Sequence, residues 1–159
     1  MANINTILLK ADALSNQNLR EERLANAEFL PGHFVELMST NKLRKHATAG
    51  GAITPAIAME QSDAGGTIAT AYTAGDTAYF AWLREGDEVY ARLANGENVA
   101  IGDKGESAGD GTLRKVVADT SAGTIKPGAI ICTFLEAVDM SDSSGADPSG
   151  WVRVKITRG

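Results

Sequence analysis

The sequence predicts a mainly β protein: a small twisted barrel or sandwich of short strands, preceded by an N-terminal arm open to a short helix. Three observations lead there. Four Gly-Asp dipeptides, Gly75-Asp76, Gly86-Asp87, Gly102-Asp103 and Gly109-Asp110, punctuate residues 61–117. Between them lie β-branched and aromatic runs at 77–83, 88–93 and 98–101, with the length and content of strands. All seventeen glycines lie at Gly32 or later, dividing the chain into an arm or docking segment (1–31) and a β-rich domain (32–159). Gly supplies backbone with φ > 0 and Asp can hydrogen-bond its own turn, so each dipeptide marks a turn.

Taken in order, residues 4–9 read as a strand or an extended arm. Residues 15–28 read as a helix of good helix formers with Ser15 as N-cap, although Leu19, Leu24 and Ala27 make an imperfect apolar stripe. Pro31-Gly32 ends whatever precedes it. Strands follow at 33–38, at 43–46 after a turn at Asn41, and at 53–59, where Pro55 argues for an edge or a bulge. Further strands are expected at 67–72 after Gly65-Gly66, at 111–117, and at 129–137 after Lys126-Pro-Gly128. A Ser/Asp/Gly loop over 139–150 leads to a final strand at 151–157. There Val152, Val154 and Ile156 share one face, and Arg153, Lys155 and Thr157 the other.

At 159 residues the chain is about one domain, enough to bury roughly 68–70% of its unfolded surface without staples. A hydrophobic content of 43%, with few aromatics, predicts a thin core of Ala, Val, Ile and Leu. The single cysteine, Cys132, lies in the apolar run Ile130-Ile-Cys-Thr-Phe-Leu135 and reads as a buried structural thiol. No secretory leader and no run of ~18 apolar residues is present, so no membrane is expected. The net charge of −5 is unevenly placed: residues 1–50 carry six basic and five acidic groups, residues 51–159 nine and fifteen. No Lys/Arg stripe with interleaved aromatics occurs. Nucleic acid is therefore not an expected partner, and the acidic balance suits a protein partner.

No chemistry-bearing motif stands out. His33 and His46 sit in strand-like runs without ligands at metal spacing and read as surface or turn-edge histidines. Neither a nucleophile elbow nor a phosphate loop is present. Residues 139–150 place Asp139, Ser141 and Ser143 at alternate positions of a calcium loop. Ser144 stands where the turn Gly belongs, however, and Gly150 where the bidentate Glu belongs, so a solvated connector is expected. No catalytic residue, metal or cofactor is expected, and the chain does not read as an enzyme.

Several blocks resemble the capsid decoration, or cement, proteins of tailed bacteriophages. They are Leu30-Pro-Gly-His-Phe-Val-Glu-Leu37, Ala71-Tyr-Thr-Ala-Gly-Asp76, Gly86-Asp-Glu-Val-Tyr-Ala-Arg-Leu93, Asn98-Val-Ala-Ile-Gly-Asp-Lys-Gly-Glu-Ser107 and Gly109-Asp-Gly-Thr-Leu-Arg-Lys115. The resemblance covers roughly residues 29–137, and the order of the blocks is more specific than any one of them. It implies a β-tulip-like body on the outer surface of the assembled head, bound to the major capsid protein. It also implies a homotrimer that stabilises the shell as part of the virion, made in the host cytoplasm. The alternative is a phage tail or adhesin module that binds a host-surface receptor. Under the first reading Ile4, Ile7, Leu8 and Leu9, with a strand edge near Pro55, contact the capsid or a neighbouring subunit. Equally open is that residues 4–9 complete the domain's own sheet.

Overall fold

The computed structural model describes residues 4–10, 20–117 and 129–157. Its strands are β1 (Leu8–Lys10), β2 (Arg20–Ala25), β3 (Val35–Leu37), β4 (Lys42–Lys45), β5 (Ala56–Ala58), β6 (Thr77–Trp82) and β7 (Glu88–Leu93). Then come β8 (Asn98–Val99), β9 (Lys104–Ser107), β10 (Leu113–Lys115), β11 (Cys132–Phe134), β12 (Val138–Asp139) and β13 (Gly150–Ile156). The described residues contain one helical element, a 3-10 turn at Ser62–Ala64.

Five strands close into a barrel. β7 pairs antiparallel with β13, β13 with β11, β11 with β9 and β9 with β10. β10 returns in parallel to β7 through Leu113 and Leu93, leaving the ring without an open edge. Alternation fills it: Val89, Ala91 and Leu93 from β7 meet Val152, Val154 and Ile156 from β13, with Leu113, Cys132 and Phe134. Gly105 of β9 is a requirement of this packing. A Cβ there would stand 2.6 Å from the Cys132 sulfur and 3.1 Å from the Phe134 ring. β1 extends the barrel wall by pairing antiparallel with the start of β7.

The other large sheet runs β3-β4-β2-β6-β5. A bridge between Phe34 and Ile57 joins its two ends. Around it Gly32 N–H donates to the Ala58 carbonyl and Ala58 N–H to the His33 carbonyl, both at 2.9 Å. The sheet thus rounds on itself into a second, smaller ring. Small side chains suit its interior: Ala25, Ala56, Ala58 and Ala78 accompany Val35, Leu43 and Phe80. Phe29 and Tyr72, bridged to one another with ring centroids 5.4 Å apart, complete that core. On the opposite face Phe34, Ile57 and Ala81 pack into the barrel's core, so one sheet serves two cores. β8 and β12 form a separate two-stranded ribbon.

The Gly-Asp dipeptides make the turns. Gly75, Gly86, Gly102 and Gly109 have φ of 94°, 97°, 91° and 93°. In the first three, the Asp carboxylate accepts the N–H three residues back: Asp76 from Thr73 (2.7 Å), Asp87 from Arg84 (2.8 Å) and Asp103 from Ala100 (2.9 Å). Strands β6, β7 and β9 each begin directly after one of them. Asp110 instead reaches forward to the Thr112 N–H at 2.9 Å.

Three expectations are corrected. The part of the predicted helix that is described contains β2, a strand, whereas 15–19 and Lys126-Pro-Gly128 lie outside the described residues. Pairing of β2 with β6 over five residues, and in parallel with β4, supplies a ladder that outweighs helix propensity. Residues 67–72 form no strand; Thr67 N–H donates to Thr70 Oγ1 at 2.9 Å, local bonding that competes with a ladder. Finally, His33 and His46 are buried, not on the surface.

Candidate functional site

The two rings meet at a joint built from polar groups the sequence does not advertise. Pro31 and Gly32, where the arm was expected to end, are both buried there. Gly32 has φ +87°, and a Cβ on it would fall 2.7 Å from Trp151 Cη2. Arg92 of β7 fixes the same corner: its N–H donates to the Gly32 carbonyl (3.0 Å) and its Nε to the Pro31 carbonyl (2.8 Å). Its Nη2 donates to the Ile68 carbonyl at 3.1 Å, and the guanidinium lies over the Trp151 ring. Burial draws the Arg92 pKa down to about 10. Its partners are carbonyl dipoles, the Ser149 hydroxyl (3.4 Å) and a π face, so it acts as a strut between the rings.

Beside it, His33 Nδ1 accepts the Leu30 N–H at 3.1 Å. Burial first, then the cations Arg92 and Lys45, lower the His33 pKa to about 3. The imidazole is therefore neutral and carries its proton on Nε2. It lines a polar cleft with Lys45, Asp110, Thr112 and Ser149.

His46 makes the second link. Its Nδ1 lies 2.7 Å from Ser107 Oγ in the barrel, and its Nε2 lies 3.9 Å from Glu36 Oε2. Ser107 Oγ also accepts the Gly109 N–H, and Ser107 is fully buried. Because Nε2 faces the Glu36 carboxylate, the ring proton is assigned to Nε2, and Nδ1 then accepts from the Ser107 hydroxyl. Serine, histidine and carboxylate thus stand in a row, but no reacting carbonyl can reach Ser107, and the row serves to hold the rings together. Glu36 Oε1 is held by Arg44 Nε at 2.7 Å, leaving Oε2 open. This arrangement is not foreshadowed by spacing, since the three residues are 10 and 61 positions apart along the chain.

The acidic loop resolves into local turns. Asp139 accepts the Ser141 N–H at 2.9 Å and Asp147 the Ser144 N–H at 2.6 Å. Among the described residues no group of three or more His, Cys, Asp and Glu is placed to hold a metal ion. Nor is any helix among them long and apolar enough to cross a membrane.

The five contact residues proposed from sequence are not brought into one surface. Ile7 is fully buried in the barrel core; its N–H donates to Glu60 Oε2 (3.2 Å) and its carbonyl accepts the Tyr90 N–H (2.9 Å). Leu8 is half-buried against the same core, and Ile4 is half-buried. Pro55 is buried just before β5, its carbonyl accepting the Leu83 N–H at 2.9 Å. Leu9, 37% exposed, is the outward member of the set, on a strand that among the described residues pairs on one side only.

The architecture is that of a small β-barrel protein with an appended, rounded second sheet. No protein-family model and no curated protein matches the chain. Among solved structures its fold is similar to the N base of the head fiber gp8.5 of bacteriophage phi29. The TM-score is 0.54 at 12% identity, over 87% of this chain and 93% of that one. At that identity the likeness is one of fold.

Proposed function

We propose that this chain is a structural protein of a bacteriophage virion that binds the outer surface of the assembled head and stabilises the capsid lattice. The observation that carries the reading is the shared fold with the base of a head fiber across nearly the whole of both chains. The ordered sequence blocks that resemble capsid decoration proteins support it independently. A rigid body of two interlocked rings, joined by Arg92 and His46, suits a load-bearing cement. The partners are the major capsid protein and further copies of the chain in a homotrimer. β1 offers to one of them the edge that carries no partner strand among the described residues, with Leu9 and Lys10. Leu8 opens that strand, Ile4 precedes it and Ile7 anchors it in the barrel core, whereas Pro55 lies in the other sheet, just before β5. The protein performs no turnover in this role.

Cosedimentation of the purified protein with heads that lack it tests the proposal. The protein pellets with the heads in a saturable way, and Leu9→Asp weakens the association without lowering the melting temperature. Retention of the protein in the supernatant at all concentrations overturns the reading.

A further inference from the structure

The cleft beside His46 holds groups that the joint does not use. Glu36, His46, Thr54, Ile53 and Trp82 line a space of about 330 Å³, at the small end of ligand clefts, which run roughly 300–1,000 Å³. His46 is 2% exposed, yet its Nε2–H is 3.9 Å from the nearest carboxylate oxygen, too far for a direct hydrogen bond. The imidazole Nε2 and Glu36 Oε2 therefore face each other along the cleft, 3.9 Å apart, with no direct hydrogen bond between them. The half-buried Trp82 is held edge-on by Phe80, with centroids 5.4 Å apart and planes at 77°. Thr54 adds a hydroxyl.

A group that fills the gap must accept from His46 and donate to Glu36 at once. Water or an alcohol hydroxyl does both; a carboxylate or phosphate would meet the Glu36 charge, and an ammonium would have nothing to offer the Nε2–H. The neighbouring wall, Trp82 with Ile53, asks for an apolar face beside that hydroxyl. Sugars combine a C–H face with adjacent hydroxyls that accept and donate together. We infer that the Glu36–His46–Trp82 cleft is a binding subsite for one saccharide unit. One sugar hydroxyl bridges His46 Nε2 and Glu36 Oε2, and the ring's apolar face rests on Trp82. The inference goes beyond the capsid-binding role and does not depend on it. On a virion surface such a subsite would give the particle weak, multivalent contact with host glycans.

The purified full chain is titrated with glucose, galactose and N-acetylglucosamine, and separately with glycerol, by saturation-transfer NMR and tryptophan fluorescence. At least one sugar is expected to bind saturably in the millimolar range, with contacts mapped to its C–H face. Glu36→Ala is expected to weaken it by at least about tenfold, because a charged acceptor is lost. Thr54→Val should weaken it less, and Trp82→Phe should remove the fluorescence change; melting curves confirm that each variant is folded. The inference is overturned if no sugar saturates, if glycerol binds as well as the sugars, or if folded Glu36→Ala binds unchanged.

Discussion

The Arg92 guanidinium lies 4.4 Å from the centroid of the Trp151 ring, and this stack closes the corner where the two rings of the fold meet. Trp151 in turn sits where any side chain on residue 32 would go. One cation, one indole and one glycine thereby fix how the smaller ring rides on the barrel.

Replacing Arg92 by Met keeps the unbranched apolar stem of the side chain and removes the guanidinium with its donors. The Pro31 carbonyl loses its partner in a buried setting and the Ile68 carbonyl in a partly buried one. A loss of about 2–4 kcal/mol in urea unfolding is expected. Arg92→Lys should recover only part of it, because an ammonium cannot reach both carbonyls while stacking on Trp151.

Gly32→Ala and Gly75→Ala separate backbone strain from collision. Both residues have positive φ, +87° and +94°, but a Cβ at 75 meets nothing within 4 Å. Gly75→Ala should cost about 1 kcal/mol from strain alone. Gly32→Ala must also displace Trp151 and should cost about 3 kcal/mol or more, read as a larger drop in melting temperature.

The pH dependence follows from His33, whose pKa falls from 6.5 to about 3 on folding. Below the unfolded value the denatured chain binds a proton that the folded chain refuses. The resulting stability is complete above about pH 6.5 and is lost as pH falls from there toward 3, at up to about 1.4 kcal/mol per pH unit. Asp76, Asp103 and Asp110 are shifted the same way, downward, the first two by hydrogen bonds to their turns or partners. For Asp110 burial pulls the other way, but its two Thr112 hydrogen bonds and the Lys45 charge outweigh it. Their contribution is present above the usual carboxylate range and is lost only below it. His33→Gln, which keeps an acceptor for the Leu30 N–H, should flatten the loss between pH 6.5 and 4.5. A parallel decline in the variant would count against this assignment.

Cys132 is fully buried, and desolvation pushes its thiol up to about 12. A thiol reagent should leave the native protein unmodified at pH 8 and label one site once the chain is unfolded. Rapid labelling of the native state would contradict the barrel packing around Gly105.

Much of this fold was legible where local chemistry decides it. β7 begins and ends where its run of residues predicts, β13 shows the expected alternation, and the four Gly-Asp pairs are turns with positive φ. Cys132 is buried, as its apolar flanks imply. What was not legible depends on distant partners. β2 is rich in Arg, Glu and Leu, good helix formers, and becomes a strand because β6 and β4, far along the chain, flank it. His33 and His46 look solvent-facing by type, and only the meeting of two rings buries them. The site suffers most from this: Glu36, His46 and Ser107 come from three separate segments and carry no spacing signature. Ile7 could not be told from an exposed arm residue until its pairing beside Tyr90 placed it in the core.

The most direct test of the central claim is electron microscopy of particles assembled with and without this chain. The account predicts density on the outer surface of the head that is present only with the chain, fits the two-ring body, and groups in threefold contact. Density confined to the tail, or heads identical in the two preparations and equally resistant to disruption, would contradict it.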